Sequence, residues 1–122
     1  MSTCIINARI RMEKRFSPFK GAINPLDDNE EGCGRVNHYG AYYATIQESK
    51  FSPFDENGKS STCNTCIKLF GVNEVVVEVI GICEGCENNS LEISDKAMED
   101  LTGGKEIDLG EIEWKYIACP SK

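Results

Sequence analysis

"STCNTCIKLFGVNEVVVEVIGICEGC" (61–86) holds two C-x-x-C pairs, Cys63 with Cys66 and Cys83 with Cys86, and sixteen residues separate them. That spacing lies inside the window of four-cysteine zinc sites, in which two knuckles bring four thiolates together tetrahedrally. The same stretch also reads as two β-branched strands, "CIKLFG" (66–71) and "EVVVEVIG" (74–81), joined at Val72-Asn73. The near-continuous apolar run of the second implies a core strand buried on both faces. Whether the sulfurs hold a metal or hold each other decides the compartment, because thiols persist in reducing surroundings and pair in oxidising ones. Cys4, Cys33 and Cys119 would be left over by a four-ligand site, and the single histidine, His38, is near neither pair. Spacing alone leaves both readings open.

Composition narrows the field. A chain of 122 residues is one domain, 1–122, able to bury one continuous core yet small enough for cross-links to matter. Hydrophobic residues make up 40% and charged residues 27%, and no apolar run approaches the ~20 residues of a membrane span. Thirteen Lys and Arg against twenty Asp and Glu give a net charge of -7, a field that repels phosphate backbones and anionic lipid. Neither nucleic acid nor a membrane is expected as a partner. The opening "MSTCIINARIRMEKRF" lacks the apolar core of about 7–15 residues that a secretory leader carries. Two expectations follow: a cytosolic protein, or a mature form given without its leader.

Along the chain, "IINARIRM" (5–12) alternates apolar and polar residues as a half-buried strand does. Within 1–30 this N-terminal strand leads into a long acidic loop. Pro18, Gly21, Pro25, Gly32 and Gly34, with an Asp-Asp-Asn-Glu-Glu run, make 17–34 read as solvated loop throughout. "GAYYATIQ" (40–47) reads as the next strand and "SKFSPFDENGKSST" as loop. "FSPF" occurs at 16–19 and 51–54, either as the echo of a duplicated strand-loop unit or as two Pro turns whose Phe pairs pack at the ends of a barrel. "SDKAMEDLTGG" predicts one helix near 95–102: Ser94 caps it, Asp95 suits its positive end, Ala97, Met98 and Leu101 share a face, and Gly103 and Gly104 stop it. "EIEWKYIAC" (111–119) sets Glu111, Glu113 and Lys115 outward against Ile112, Trp114 and Tyr116, the pattern of a closing strand.

Six segments in order, "GCGR" (32–35), "YYATIQESKF" (42–51), "CNTCIKL" (63–69), "VVVEVIGICEGC" (75–86), "LEISDKAMEDL" (91–101) and "GEIEWKYIAC" (110–119), resemble the double-psi β-barrel family of expansin first domains, loosenins, barwin-like proteins and rare lipoprotein A. The likeness runs from about Glu31 to Pro120, and the first thirty residues match poorly. It implies an all-β, six-stranded double-psi β-barrel with one short helix, secreted and disulfide-stabilised, with neither metal nor cofactor. It further implies the pairs Cys33–Cys63, Cys66–Cys119 and Cys83–Cys86, with Cys4 left free.

Members of that family bind polysaccharide in an open groove floored by aromatic rings, and related endoglucanases hydrolyse there with two carboxylates. In this sequence Glu92 of "LEIS" stands where the family's L-D-L-S aspartate stands, whereas the aspartate of the family's D-x-C segment is replaced by Gly81. Asp27 and Asp28 are weaker groove candidates, because their spacing to Cys33 differs from the family's. One reliably placed carboxylate cannot perform a two-carboxylate hydrolysis, so no catalytic residue is assigned. The resemblance therefore implies an expansin- or loosenin-like protein that binds cell-wall polysaccharide (glucan, chitin or peptidoglycan) without cleaving it. Glu92, Tyr39, Tyr42, Tyr43 and Trp114 are the ligand-binding candidates, each with a plainer reading: Glu92 as an N-terminal helix charge, Trp114 as core, His38 as a surface residue. Neighbours in a strand face opposite sides, so at least one of Tyr42 and Tyr43 is expected to be exposed. "NNS" (88–90) is an N-glycosylation acceptor triplet if the source is a eukaryote and the chain is secreted. The rival reading is a secreted protein-binding module on the same barrel, a cysteine-protease inhibitor or a pathogen effector, that meets a host or target protein through its loops.

Overall fold

The computed structural model describes residues 19–26, 33, 40–63 and 65–120. Within them lie six strands and one α-helix: β1 (Phe19–Pro25), β2 (Tyr43–Gln47), β3 (Cys66–Phe70), β4 (Glu74–Cys83), β5 (Leu91–Ile93), α1 (Asp95–Thr102) and β6 (Glu111–Ile117), with a single 3-10 turn at Glu48–Lys50. The strands close into a barrel in the order β1-β5-β2-β4-β3-β6. β1 with β5 and β2 with β4 run parallel, and the remaining pairs antiparallel, so the sheet is mixed. Closure removes the exposed edges at which a sheet would recruit other chains.

Alternation puts one side chain of every two into the barrel. Ala44 and Ile46 of β2, Ile67 and Leu69 of β3, Val75, Val77 and Val79 of β4, Leu91 and Ile93 of β5, and Ile112 and Trp114 of β6 form one buried cluster. Residues from outside the sheet join it: Ala97 and Leu101 of helix α1, both fully buried, and Phe51 from the segment after the 3-10 turn. Ser94 caps the helix as expected, its hydroxyl accepting from the Ala97 amide, and Gly103 at φ 71° ends it in the left-handed conformation. No helix among the described residues is long and apolar enough to cross a membrane.

Two corrections concern strands. The segment read as loop from 17 to 34 contains β1, which pairs with β5 on one side and β6 on the other. Gly21, read as a breaker, is instead a fitting residue: a Cβ there would lie 2.1 Å from the Asn89 carbonyl oxygen, so only glycine lets the 88–90 turn cross the strand. Pro25 stands at the last position of β1, where a strand tolerates it. β5, which the strand patterns did not mark, is a three-residue strand held between β1 and β2. β4 is buried on both faces over most of its length, as its composition predicts. The strand-like stretch at 5–12 and the acidic run at 27–31 lie outside the described residues.

The sulfurs are joined as Cys33–Cys63, Cys66–Cys119 and Cys83–Cys86, with Cα–Cα distances of 5.7, 5.0 and 5.5 Å. Cys63 and Cys66 therefore turn to different partners instead of converging with Cys83 and Cys86, and the zinc-knuckle arrangement does not form. Cys4 lies outside the described residues. Of the two "FSPF" copies, the second places Phe51 in the core with Phe54 against it, ring centroids 5.3 Å apart, while the described end of the first, Phe19, opens β1 instead of closing a strand.

Candidate functional site

Leu91 and Ile93 point into the core, so Glu92 between them projects from the barrel's outer face. By the same alternation Thr45, between Ala44 and Ile46, also faces out. Register sets Glu92 beside Asn24 of β1 and beside Thr45 of β2, and Thr45 in turn beside Gly81 of β4. Asn24, Glu92, Thr45 and Gly81 thus form one row across four adjacent strands. The Thr45 hydroxyl donates to Glu92 Oε1 at 3.4 Å. Gly81 and Thr45 are buried, Glu92 is half-buried and Asn24 is exposed, so the row opens to solvent at its Glu92–Asn24 end.

The row depends on an irregularity. Between Ala44↔Val79 and Thr45↔Gly81 the register shifts, leaving Ile80 as an extra residue in β4. Such a bulge re-aims the residues beyond it. Glu78 pairs with Tyr43 on one side of it and Gly81 pairs with Thr45 on the other, so two residues three apart in sequence both align with outward-facing positions of β2. The position at which the resemblance expects an aspartate therefore does lie on the Glu92 row, but as glycine it supplies no acid or base.

Tyr43 shares the outer face of β2 with Thr45 and is half-buried. Its amide donates to Ser94 Oγ at 3.3 Å and its carbonyl accepts from the Ser94 amide at 2.9 Å, which ties it to the residue following β5. Tyr42 goes elsewhere. Its hydroxyl donates to Asp100 Oδ2 at 2.5 Å, its ring packs on the core cluster, and the Asp100 carboxylate holds the phenol above its ordinary pKa of 10.0. Tyr42 is a fastening between β2 and α1 and is not brought to the Glu92 row. Both tyrosines are half-buried.

Trp114, a candidate stacking platform, is 0% exposed; its indole N–H donates to the Asn89 carbonyl at 2.9 Å and its ring lies 4.7 Å from that of Phe19. It is core, and its face is closed to any ligand. An aromatic residue of this strand that does emerge is Tyr116, two positions on, 39% exposed and edge-on to both Trp114 and Phe19. Alternation placed it inward with Ile112 and Trp114, and it does lie in that row, but past the barrel mouth. Partial burial raises its phenol above the ordinary 10.0. Asp27, Asp28, His38 and Tyr39 lie outside the described residues. Asn24 and Thr45 escaped the sequence reading, since nothing in an isolated Asn or Thr discloses which strand will lie beside it.

No protein-family model matches the chain, and no curated protein matches it in sequence. Solved structures do. A Streptomyces papain inhibitor superposes with a TM-score of 0.63 at 16% identity, over 82% of this chain and 92% of the inhibitor. A Clavibacter michiganensis expansin gives 0.56 at 18% identity over 87% of this chain, which spans about half (51%) of the expansin. A GH45 endoglucanase in complex with cellobiose gives 0.57 at 16% identity, over 83% of this chain and 82% of the enzyme. With the closed six-stranded order above, these likenesses establish the double-psi β-barrel fold.

Proposed function

We propose that the protein is an extracellular glycan-binding barrel of the expansin and loosenin kind, holding a neutral cell-wall polysaccharide across the outer face of β1, β5 and β2 without cleaving it. The observation that carries this reading is the placement of Glu92: a half-buried carboxylate, oriented by the Thr45 hydroxyl and flanked by Asn24, on a row whose fourth position is glycine. A carboxylate so held accepts hydrogen bonds from paired sugar hydroxyls, and Asn24 adds both donor and acceptor. Glycoside hydrolysis requires a second carboxylate about 5–9.5 Å away, and the described residues of this row offer none. A mutant of the Clavibacter michiganensis expansin and a mutant of the GH45 endoglucanase, both of which contain this fold, are known in complex with cellohexaose and cellobiose, respectively. Three disulfides in so small a barrel fit an oxidising compartment.

Retention on insoluble cellulose, chitin and peptidoglycan tests the proposal. At least one should hold the protein, and Glu92→Gln should weaken that binding several-fold; retention on none of the three would remove it. A second reading has one observation in its favour: the papain inhibitor is covered over 92% of its length, so that the barrel alone accounts for nearly all of it. On that reading the loops, not the Glu92 row, would bind a cysteine protease. Inhibition of papain that is indifferent to Glu92→Gln would select it.

A further inference from the structure

The bridge Cys83–Cys86 differs from the other two in what it encloses. It spans a sequence separation of 3, against 30 for Cys33–Cys63 and 53 for Cys66–Cys119. It encloses only the Glu84-Gly85 turn, whereas the other two close loops that each take in at least one strand of the barrel. On one side of the turn β4 is paired with β2 as far as Gln47↔Cys83, and on the other the 87–90 segment is fastened independently. Gln47 Oε1 accepts from the Asn89 amide at 3.1 Å, Trp114 bonds the Asn89 carbonyl, and Ser90 exchanges hydrogen bonds with Glu87. Loss of the bridge therefore leaves β4 and β5 in place.

The bridge is also reachable. A cavity of about 370 Å³, walled by Gln47, Glu48, Ser49, Gly85 and Glu87, has both cysteines in its lining. Above Gly85 the space is empty: a Cβ built there meets no atom within 4 Å. Cys86 is half-buried and Cys83 is 2% exposed, which makes Cys86 Sγ the sulfur open to attack. The cavity is acidic, with Glu48 and Glu87 in its wall, Glu84 exposed in the turn itself, and no basic side chain in the lining.

We infer that Cys83–Cys86 is a thiol–disulfide exchange site of the folded protein, selective for thiols borne on a cationic carrier. A thiolate attacks Cys86 Sγ; the S–S bond breaks, its electron pair passes to Cys83 Sγ, and that sulfur takes up a proton. A second external thiolate then attacks the outer sulfur of the mixed disulfide, releasing Cys86 as a thiol and the external pair as its own disulfide. Two electrons enter the protein and two thiols are oxidised. The three carboxylates repel an anionic thiolate and draw a cationic carrier, so charge selects the partner. The inference does not depend on the glycan reading.

The test treats the oxidised full chain with equal low concentrations of cysteamine, 2-mercaptoethanol or 2-mercaptoethanesulfonate at low salt. Free thiols are then alkylated and mapped by peptide mass, and each rate is divided by that thiol's rate on a small neutral disulfide. Cys83 and Cys86 should be alkylated first while far- and near-ultraviolet circular dichroism stay native. The normalised rates should fall from the cationic to the anionic thiol by about tenfold, a spread that collapses toward unity in ~0.5 M salt, where charges beyond a few ångströms are screened. Glu48→Gln combined with Glu87→Gln should narrow the spread at low salt with the fold intact. Prior opening of either other bridge, loss of structure on opening Cys83–Cys86, or equal normalised rates for the three thiols would each overturn the inference.

Discussion

Gly21 is the residue on which the 88–90 turn closes. With the Asn89 carbonyl oxygen 2.1 Å from where a Cβ would sit, Gly21→Ala must push backbone against backbone, and overpacking of that kind costs about 1–3 kcal/mol. Urea denaturation of the variant should show a midpoint lowered accordingly; an unchanged midpoint would mean that the turn does not cross there. Tyr42 gives a pH dependence. Its folded-state pKa is raised, chiefly by the bond it donates to Asp100, so the neutral phenol is the form that folding favours. The contribution is complete below the unfolded value near 10 and is lost as pH rises through the folded value. Thermal melts of the native protein should therefore lose stability above about pH 10 more steeply than those of Tyr42→Phe, with the difference between the two constant from pH 7 to 9. At this scale the sequence singled out Glu92 as a candidate, because a motif surrounds it, but not Thr45 or Asn24, which join the row only through register. Trp114 and Tyr116 show the same limit: alternation told which way they face, and not where the barrel mouth lies between them.

Among the elements, those that follow simple rules were legible. β3, β4 and β6 carry β-branched or alternating runs, and α1 carries its own start and stop signals. β5 has three residues, too few for periodicity to register, and β1 is interrupted by a glycine whose purpose lies in a turn some seventy residues away in sequence. The bulge at Ile80 was equally hidden, because an extra residue in a strand buried on both faces leaves the apolar pattern unchanged. Ser94 is the junction between β5 and α1: its hydroxyl accepts from the Ala97 and Tyr43 amides and donates to the Ala41 carbonyl. Ser94→Ala should cost about 1–2 kcal/mol through loss of the cap and of the bond to the 41–43 segment. Calorimetry checks this, and a change under 0.5 kcal/mol would say that water replaces the hydroxyl.

For the molecule as a whole, closure of the sheet and the two long-range bridges act on different states. Burial of the inner row stabilises the folded barrel, whereas Cys33–Cys63 and Cys66–Cys119 restrict the unfolded chain. Removing the latter, with a separation of 53, by Cys66→Ala and Cys119→Ala should cost about 4 kcal/mol in the chain-entropy account. The denaturant midpoint reads that loss directly. The order of the segments made the barrel recognisable from sequence, and the pairing of the sulfurs came from that likeness, since spacing alone left a zinc site standing. The central claim, that the open end of the Asn24–Glu92–Thr45 row is where a glycan lies, is tested most directly by amide chemical shifts. A soluble oligosaccharide of whichever polysaccharide retains the protein is titrated into the isotopically labelled chain. Perturbations should concentrate at Asn24, Tyr43, Thr45 and Glu92 with no product sugars appearing, whereas perturbations confined to the far side of the barrel around Phe70 and Glu113, or shortening of the oligosaccharide, would contradict the account.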